Sequence, residues 1–138
     1  MVANADDAVP HCPLIATCTP AHAVVLAAPP RPDAFVAAVG AYTPAMAELA
    51  PALCRHVALR GHIVLDSDDA RHEAGDLLQA GMDVGVLPTL RDVLHGRPIP
   101  PEGPVLFKSC GWAGWDLAAA RLAVHPPVST GHAPQATP

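Results

Sequence analysis

Positive charge is scarce in this 138-residue chain, which has eight lysines and arginines against thirteen aspartates and glutamates. The eight basic residues are scattered, whereas a protein that grips a phosphate backbone needs a clustered basic face. Apolar runs are short as well, because none reaches the roughly 18 residues that a bilayer-spanning helix requires. We therefore expect neither a nucleic-acid partner nor a membrane partner.

Paired metal ligands are also missing from the sequence. The four cysteines, at positions 12, 18, 54 and 110, form no C-x-x-C pair, and we expect all four to be small buried hydrophobes. His72 and Glu73 begin like H-E-x-x-H, but Asp76 stands where the second histidine belongs. Asp66, Asp68 and Asp69 are better explained by a turn and a helix cap than by a metal cluster. The sequence predicts no metal site.

The two ends of the chain predict where the protein acts and how far its domain extends. The first seven residues lack the basic region and the apolar core of a secretory signal, so we expect a cytoplasmic protein with reduced cysteines. The segment 126–138 is rich in proline, serine and threonine and shows no periodicity. We expect one domain over residues 1–125, followed by a disordered tail.

Four short apolar runs predict β-strands. They are Pro13–Thr19, Ala34–Gly40, His62–Ser67 and Pro104–Ser109. Each run is nearly continuous in apolar character, which is typical of a strand covered on both faces by helices.

Helical spacing appears between and after these runs. It predicts helices at Pro51–Arg55, Ala70–Ala80 and Leu90–His95, and a last helix with Trp112, Trp115, Ala119 and Leu122 on one stripe. We interpret the two tryptophans as anchors in a core or an interface. Strands that alternate with helices predict an α/β fold, with a mainly parallel sheet and flanking helices.

The most specific segment is Gly103–Val124, GPVLFKSCGWAGWDLAAARLAV, in which a strand, a Cys-Gly turn and a helix follow one another. It resembles the FKSxGxAxxDLAAA signature of the ornithine cyclodeaminase/mu-crystallin family. Three earlier segments resemble that family in the expected order: Leu14–Thr19 with Pro20, Ala37–Leu49 and Val64–Leu78. The stretches TPAMAE and HEAGDLLQAG are most similar to bacterial Δ1-pyrroline-2-carboxylate reductases.

The resemblance implies a partial Rossmann-like fold that binds NAD or NADP and a small cyclic imine or amino acid. The residues that would line the dinucleotide, mostly near its nicotinamide, are Thr19, Ala37, Ala38, Val39, Gly40 and Ser109. Tyr42 and Cys110 would edge the substrate pocket, and no catalytic residue is assigned.

The positions of three of these residues agree with a ligand crevice. Thr19, Gly40 and Ser109 follow predicted strands, and open α/β sheets bind ligands at the carboxyl ends of their strands. Gly40 leaves room for a flat ring, and Ser109 offers a hydroxyl close to a helix N-terminus. Purely structural interpretations stay open: Gly40 can close a strand, Thr19 can form a turn, and Ser109 can cap a helix.

Two departures from the family pattern limit the functional prediction. The sequence contains no G-x-G-x-x-G turn with an acidic residue about twenty positions later, and no substrate domain is recognised. Tyr42 stands where ornithine-deaminating members carry an acid/base aspartate, and a phenol with a pKa near ~10 is a poor general base. Met46 replaces a nearby family lysine.

We therefore expect a truncated NAD(P)H-dependent reductase of cyclic ketimines, inactive alone, whose partner is a missing N-terminal half or a second copy. Two alternatives stay open. One is a non-enzymatic remnant of the fold that binds a small ligand or a protein, and the other is an ornithine cyclodeaminase proper.

Overall fold

The computed structural model describes residues 4–20 and 23–124, and a single parallel sheet organises them. Its strands are β1 (Leu14–Thr17), β2 (Phe35–Ala38), β3 (His62–Leu65) and β4 (Val105–Lys108). The spatial order is β1-β2-β4-β3, so the last strand of the chain lies between the second and the third. Each strand falls inside a predicted apolar run, and the predicted α/β class is confirmed. The predicted tail, 126–138, lies outside the described residues.

The described part of the chain also contains five α-helices and three short 3-10 turns. The helices are α1 (Pro51–Arg60), α2 (Ala70–Glu73), α3 (Gly75–Gln79), α4 (Leu90–Leu94) and α5 (Ala113–Val124). The 3-10 turns are Ala5–Asp7, Val9–His11 and Val84–Val86. Pro51 occupies the first turn of α1, where its missing N–H costs nothing. Thr89 and Asp92 form a reciprocal capping box that starts α4.

The core lies between the sheet and helices α1 and α3. Its fully buried side chains include Val36, Leu53, Val57, Leu77 and Leu106. Helix α1 packs against β3 and against α3, and its buried residues, Leu53, Cys54 and Val57, follow helical spacing. None of the described helices is long and apolar enough to cross a bilayer.

The prediction of one helix over Ala70–Ala80 is wrong, because the chain turns at Ala74. Its ψ angle of 74° separates α2 from α3. The turn carries Asp76 into the interior, where it accepts hydrogen bonds from the main chain of Glu48 and Leu49. A tertiary contact of a buried carboxylate therefore overrides the local helical spacing.

The last helix is present as predicted, but its apolar stripe is not buried. Trp112 is 51% exposed, Trp115 is 42% exposed, and no residue of α5 is buried. The two indole rings pack against each other edge to face, with centroids 5.7 Å apart. The core interpretation of the tryptophans is wrong, because periodicity reveals a stripe without revealing what covers it. The interface interpretation stays a prediction.

All four cysteines are free thiols, and they differ in exposure. Cys54 is buried, Cys12 and Cys110 are partly buried, and Cys18 is exposed. The prediction that all four are buried is thus wrong for Cys18, which follows the edge strand β1. Burial raises the pKa of the thiols of Cys54 and Cys110 to about 12. These two thiols are therefore neutral at physiological pH.

The turn between α2 and α3 generates a test of the packing. A Cβ on Gly75 would overlap the main-chain oxygen of Met46, so we expect Gly75→Ala to lower the free energy of unfolding by about 2–4 kcal/mol. Gly85→Ala is the matched control, because its nearest heavy atom would be a side-chain oxygen of Asp83 at 3.1 Å. Urea denaturation followed by circular dichroism measures both. Equal midpoints for the two variants would contradict the packing argument.

Candidate functional site

The carboxyl ends of the four parallel strands meet at one edge of the sheet, which we call the carboxyl edge. Thr19 and Gly40 follow β1 and β2, and the amide of Ser109, after β4, donates to the carbonyl of Ala38 at 2.9 Å. One strand separates β1 from β4, so Thr19 and Ser109 lie about 10 Å apart at usual strand spacing. The structure thus brings together the three residues that were predicted to converge.

Glu48 joins the first two strand ends, a role that the sequence did not predict. Its side chain is fully buried. Oε1 accepts hydrogen bonds from the amide (2.7 Å) and the hydroxyl (2.9 Å) of Thr19. Oε2 accepts from the hydroxyl of Thr17 (2.9 Å) and the amide of Gly40 (2.7 Å). Four donors thus satisfy one carboxylate, which fixes the loop after β1 against the loop after β2.

The charge of Glu48 is stabilised despite its burial. Desolvation alone would raise the pKa, but the hydrogen bonds from Thr19, Gly40 and Thr17 outweigh it and hold the pKa below its ordinary value. Glu48 therefore stays ionised at neutral pH, and its charge is directed at internal donors.

Gly40 is required by this internal packing. A Cβ at that position would overlap the carbonyl oxygen of Thr19 and would approach Glu48 Oε1. The space in which an L side chain would stand is therefore filled by the protein. This contact gives a structural reason for the glycine that is independent of any bound ring.

Lys108 and Asp76 form a fully buried ion pair behind the carboxyl edge. Lys108 Nζ lies 2.9 Å from Asp76 Oδ2 and donates to the carbonyl of Ala41 at 2.6 Å. Asp76 Oδ2 accepts no hydrogen bond of good geometry, so its contact with Lys108 is ionic. Asp76 Oδ1 accepts from the amides of Glu48 (2.6 Å) and Leu49 (2.8 Å). The pair thus supports the backbone that carries Glu48.

Asp66, which follows β3, holds the backbone after β4 as Glu48 holds the backbone after β1 and β2. Its Oδ2 atom accepts from the hydroxyl of Ser109 (2.7 Å) and from the amides of Cys110 (3.0 Å) and Gly111 (2.9 Å). Gly111 has a φ of +88°, which suits the turn after β4. The side chain of Asp66 therefore holds the turn after β4, and the predicted helix cap is wrong for Asp69, whose side chain forms no capping hydrogen bond at the start of α2. Within residues 4–20 and 23–124, no group of three His, Cys, Asp or Glu side chains is placed to hold a metal ion.

Ser109 does not cap a helix, because α5 begins four residues later, at Ala113. Its hydroxyl donates to Asp66, and its oxygen receives a long hydrogen bond of 3.3 Å from the amide of Gly111. The structural interpretation of Ser109 as an N-cap is therefore wrong.

The other predicted site residues differ in accessibility. Val39 is 40% exposed and Tyr42 is 56% exposed, whereas Ala37 and Cys110 are partly buried and Ala38 is fully buried. The carbonyl of Ala38 is engaged by the amide of Ser109. Val39 and Tyr42 therefore offer side-chain surface at the carboxyl edge, while Ala38 does not. The ligand contacts of all these residues stay predictions.

Sequence reasoning missed the charged residues that hold this edge together. The sequence gives one indication for each of them, because each charged residue stands next to apolar residues. Lys108 ends the run VLFK, Asp76 follows the buried Ala74 and Gly75, and Glu48 lies between Ala47 and Leu49. Charged residues are almost never fully buried unless they are paired, so such positions are candidates for internal partners.

The model of the ornithine cyclodeaminase/mu-crystallin family matches residues 1–130. The chain belongs to this family. It is 41% identical over 118 residues to Delta(1)-pyrroline-2-carboxylate reductase 2 of Burkholderia ambifaria, a match that covers 85% of this chain and 37% of that protein. It is 38% identical over 94 residues to the ketimine reductase mu-crystallin of Mus musculus, covering 67% of this chain and 28% of that protein. The chain thus spans well under half the length of these relatives, and the predicted family resemblance is confirmed.

A solved structure shows the same fold. The Delta(1)-pyrroline-2-carboxylate reductase of Thermococcus litoralis, in complex with NADH and L-proline, superposes with a TM-score of 0.75 at 24% identity. The match covers 88% of this chain and 40% of that one. At this identity the likeness shows the fold alone, and it confirms the Rossmann-like prediction.

The four hydrogen bonds to Glu48 generate a stability prediction. Glu48→Gln replaces an acceptor oxygen with an amide group that faces donors, so we expect the free energy of unfolding to fall by about 2–4 kcal/mol. The exposed Glu102→Gln is the control and should change stability by less than about 0.5 kcal/mol. The measurement is urea denaturation at neutral pH. A Glu48→Gln protein as stable as the control would contradict the network.

Acid provides an independent test of the same carboxylate. The folded pKa of Glu48 lies below its ordinary value of 4.5, so the unfolded state binds more protons between the two pKa values. The stability that Glu48 contributes is therefore complete above pH 4.5 and is lost as the pH falls through the folded pKa. The stability difference between the wild type and Glu48→Gln should shrink on acidification. A difference that widens as the pH falls toward 4.5 would show instead that the folded pKa is raised.

The buried ion pair can be tested with a double-mutant cycle. Lys108→Met leaves Asp76 charged without its partner, and we expect a loss of about 3–5 kcal/mol. Adding Asp76→Asn removes the uncompensated charge and keeps Oδ1 as an acceptor, so the double variant should recover part of the loss. Additive losses in urea denaturation would contradict the ion pair.

Proposed function

We propose that this chain forms the nicotinamide-facing part of an NAD(P)H-dependent reductase of small cyclic ketimines. The observation that carries the proposal is the carboxyl edge, where buried carboxylates fix the backbone after β1, β2 and β4. Residues that are fixed by internal hydrogen bonds need no reorganisation when a ligand binds. The relatives named reductases of Delta(1)-pyrroline-2-carboxylate and of ketimines support the substrate class.

The residues of the carboxyl edge suit the nicotinamide end of a dinucleotide, both its flat ring and its carboxamide. Val39 offers apolar surface for a flat ring, and Thr19 and Gly40 are held beside it by Glu48. The hydroxyl of Ser109 donates a hydrogen bond to Asp66, and its oxygen can still accept a hydrogen bond from the carboxamide N–H of a nicotinamide. Ala38 acts through its carbonyl, which positions Ser109, and we do not propose its side chain as a contact. The bound cofactor would supply the hydride, and the protein would orient it.

The substrate side is formed by Tyr42 and Cys110 in this proposal. Tyr42 is exposed near the start of the loop between β2 and α1, where it can contact a small ring. Cys110 has a thiol whose pKa burial raises to about 12, so it packs as a neutral group and is no nucleophile. We assign the catalytic proton donor to neither residue.

A polypeptide of residues 1–138 alone should bind the cofactor poorly. Dinucleotides gain much of their affinity from a pyrophosphate held on a glycine-rich turn, and the sequence contains no G-x-G-x-x-G. In this proposal the pyrophosphate site comes from a further segment or from a second copy. We expect a Kd for NADH and NADPH weaker than about 1 mM in fluorescence titrations of residues 1–138, with no turnover. Micromolar binding with steady turnover would contradict this expectation.

A chimera tests the function itself. The stretch of the Burkholderia ambifaria reductase that matches this chain over 118 residues is replaced by the stretch from this chain. We expect NAD(P)H-dependent reduction of Δ1-pyrroline-2-carboxylate, and we expect Glu48→Gln to lower kcat/KM by about 10- to 100-fold, because small misplacements are costly. Glu102→Gln in the same chimera is the control. A chimera that is folded by circular dichroism but does not reduce the imine would overturn the proposal.

A further inference from the structure

A cleft of about 370 Å³ lies on the far side of β4 from Thr19 and Gly40. Its floor includes Asp66 and Thr89, at the ends of β3 and of the loop before α4. Leu94 of α4 and the two tryptophans, Trp112 and Trp115, also line it. The cleft thus lies at the β3 end of the carboxyl edge, and its tryptophans distinguish it from the part around Thr19 and Gly40, to which we assign the cofactor.

The two tryptophans line the cleft, and about half of each side chain is exposed to solvent. Trp112 is 51% exposed and Trp115 is 42% exposed, and their ring planes meet at 81°. Both residues line the cleft, so part of each indole is available to a ligand. An indole face is the strongest aromatic partner for a cation within about 6 Å of the ring centroid. Two large exposed rings in one concave site favour a ligand with an apolar body.

The charges around the cleft select the sign of the ligand. Asp66, Asp68 and Asp69 line it, and Arg91 is the one arginine or lysine on its described lining. Arg91 lies 3.7 Å from Asp68, which also pairs with Arg71 at 3.1 Å. Asp69, at the start of α2, forms no capping hydrogen bond with its side chain. The cleft is therefore net negative, and an anion attracted to Arg91 would face three carboxylates.

We propose that this cleft binds a small organic cation with an apolar body, of the alkylammonium or quaternary ammonium class. The indole rings of Trp112 and Trp115 contact the apolar groups around the charge, and Asp69 supplies the opposite charge. Asp66 and Asp68 contribute less, because other donors already engage them. The proposal is independent of the reductase activity.

Choline is the probe for cation binding in the cleft, and the fluorescence of the two tryptophans measures its binding. Both tryptophans of the sequence line the cleft, so intrinsic tryptophan fluorescence reports on this site alone. We expect a saturable fluorescence change with a Kd of about 1 mM. The uncharged carbon isostere, dimethylbutanol, should bind at least about tenfold more weakly. Sodium chloride at matched ionic strength corrects for screening of the surface charges.

Exposed positions allow variants that keep the fold, which circular dichroism verifies. Trp112→Ala should raise the Kd for choline about tenfold, with Trp115 as the remaining reporter, and Asp69→Asn should raise it about threefold. Asp116→Asn is the matched control, because Asp116 neighbours Trp115 on α5 but does not line the cleft. A response equal to that of sodium chloride, equal binding of the isostere, or unchanged affinity in both variants would overturn the proposal.

Discussion

The carboxylate of Glu48 is the constraint on which the candidate site depends. A buried charge of this kind is tolerated only when its oxygens are hydrogen-bonded, and here the donors come from the last residue of β1 and from residues that follow β1 and β2. The position of Glu48 therefore dictates where the backbone of Thr19 and Gly40 must lie. The Lys108–Asp76 pair extends the same constraint inward, because Asp76 holds the main chain that presents Glu48. Ion pairs of this kind contribute little net stability compared with apolar packing, but they select one arrangement over others.

The sheet was predictable because its strands are nearly continuous in apolar character, as the runs around Val36 and Leu106 show. The coverage on both faces that this pattern predicts holds only for β3, because burial alternates along β1, β2 and β4. The division at Ala74 was not predictable, because it depends on a carboxylate that meets its donors 27 and 28 residues away. The exposure of α5 was not predictable either, since a helical stripe carries no information about its partner.

The candidate site was predictable only in part, for a related reason. Family resemblance and strand ends located Thr19, Gly40 and Ser109 at one edge, because the carboxyl ends of parallel strands coincide. The carboxylates that hold them were missed, since charged residues are ordinarily assigned to the surface. Glu48 bonds to residues 8 to 31 positions away, and Asp66 bonds to residues 43 to 45 positions away, so local sequence patterns do not reveal these contacts. Their side chains became interpretable only once the strand order placed the loops together.

The order of the strands has a consequence for how the chain acquires its structure. The last strand, β4, lies between β2 and β3, and the contact of Lys108 with Ala38 joins residues 70 positions apart. Parallel pairing of this kind requires long loops to close, and the chain loses their conformational entropy before the strand contacts can stabilise it. This order of events slows folding. During synthesis β2 and β3 have no strand between them until residue 108 leaves the ribosome. Lys108, Ser109 and the turn that Asp66 holds arrive together with that strand, so the sheet and the candidate site are completed in the same step.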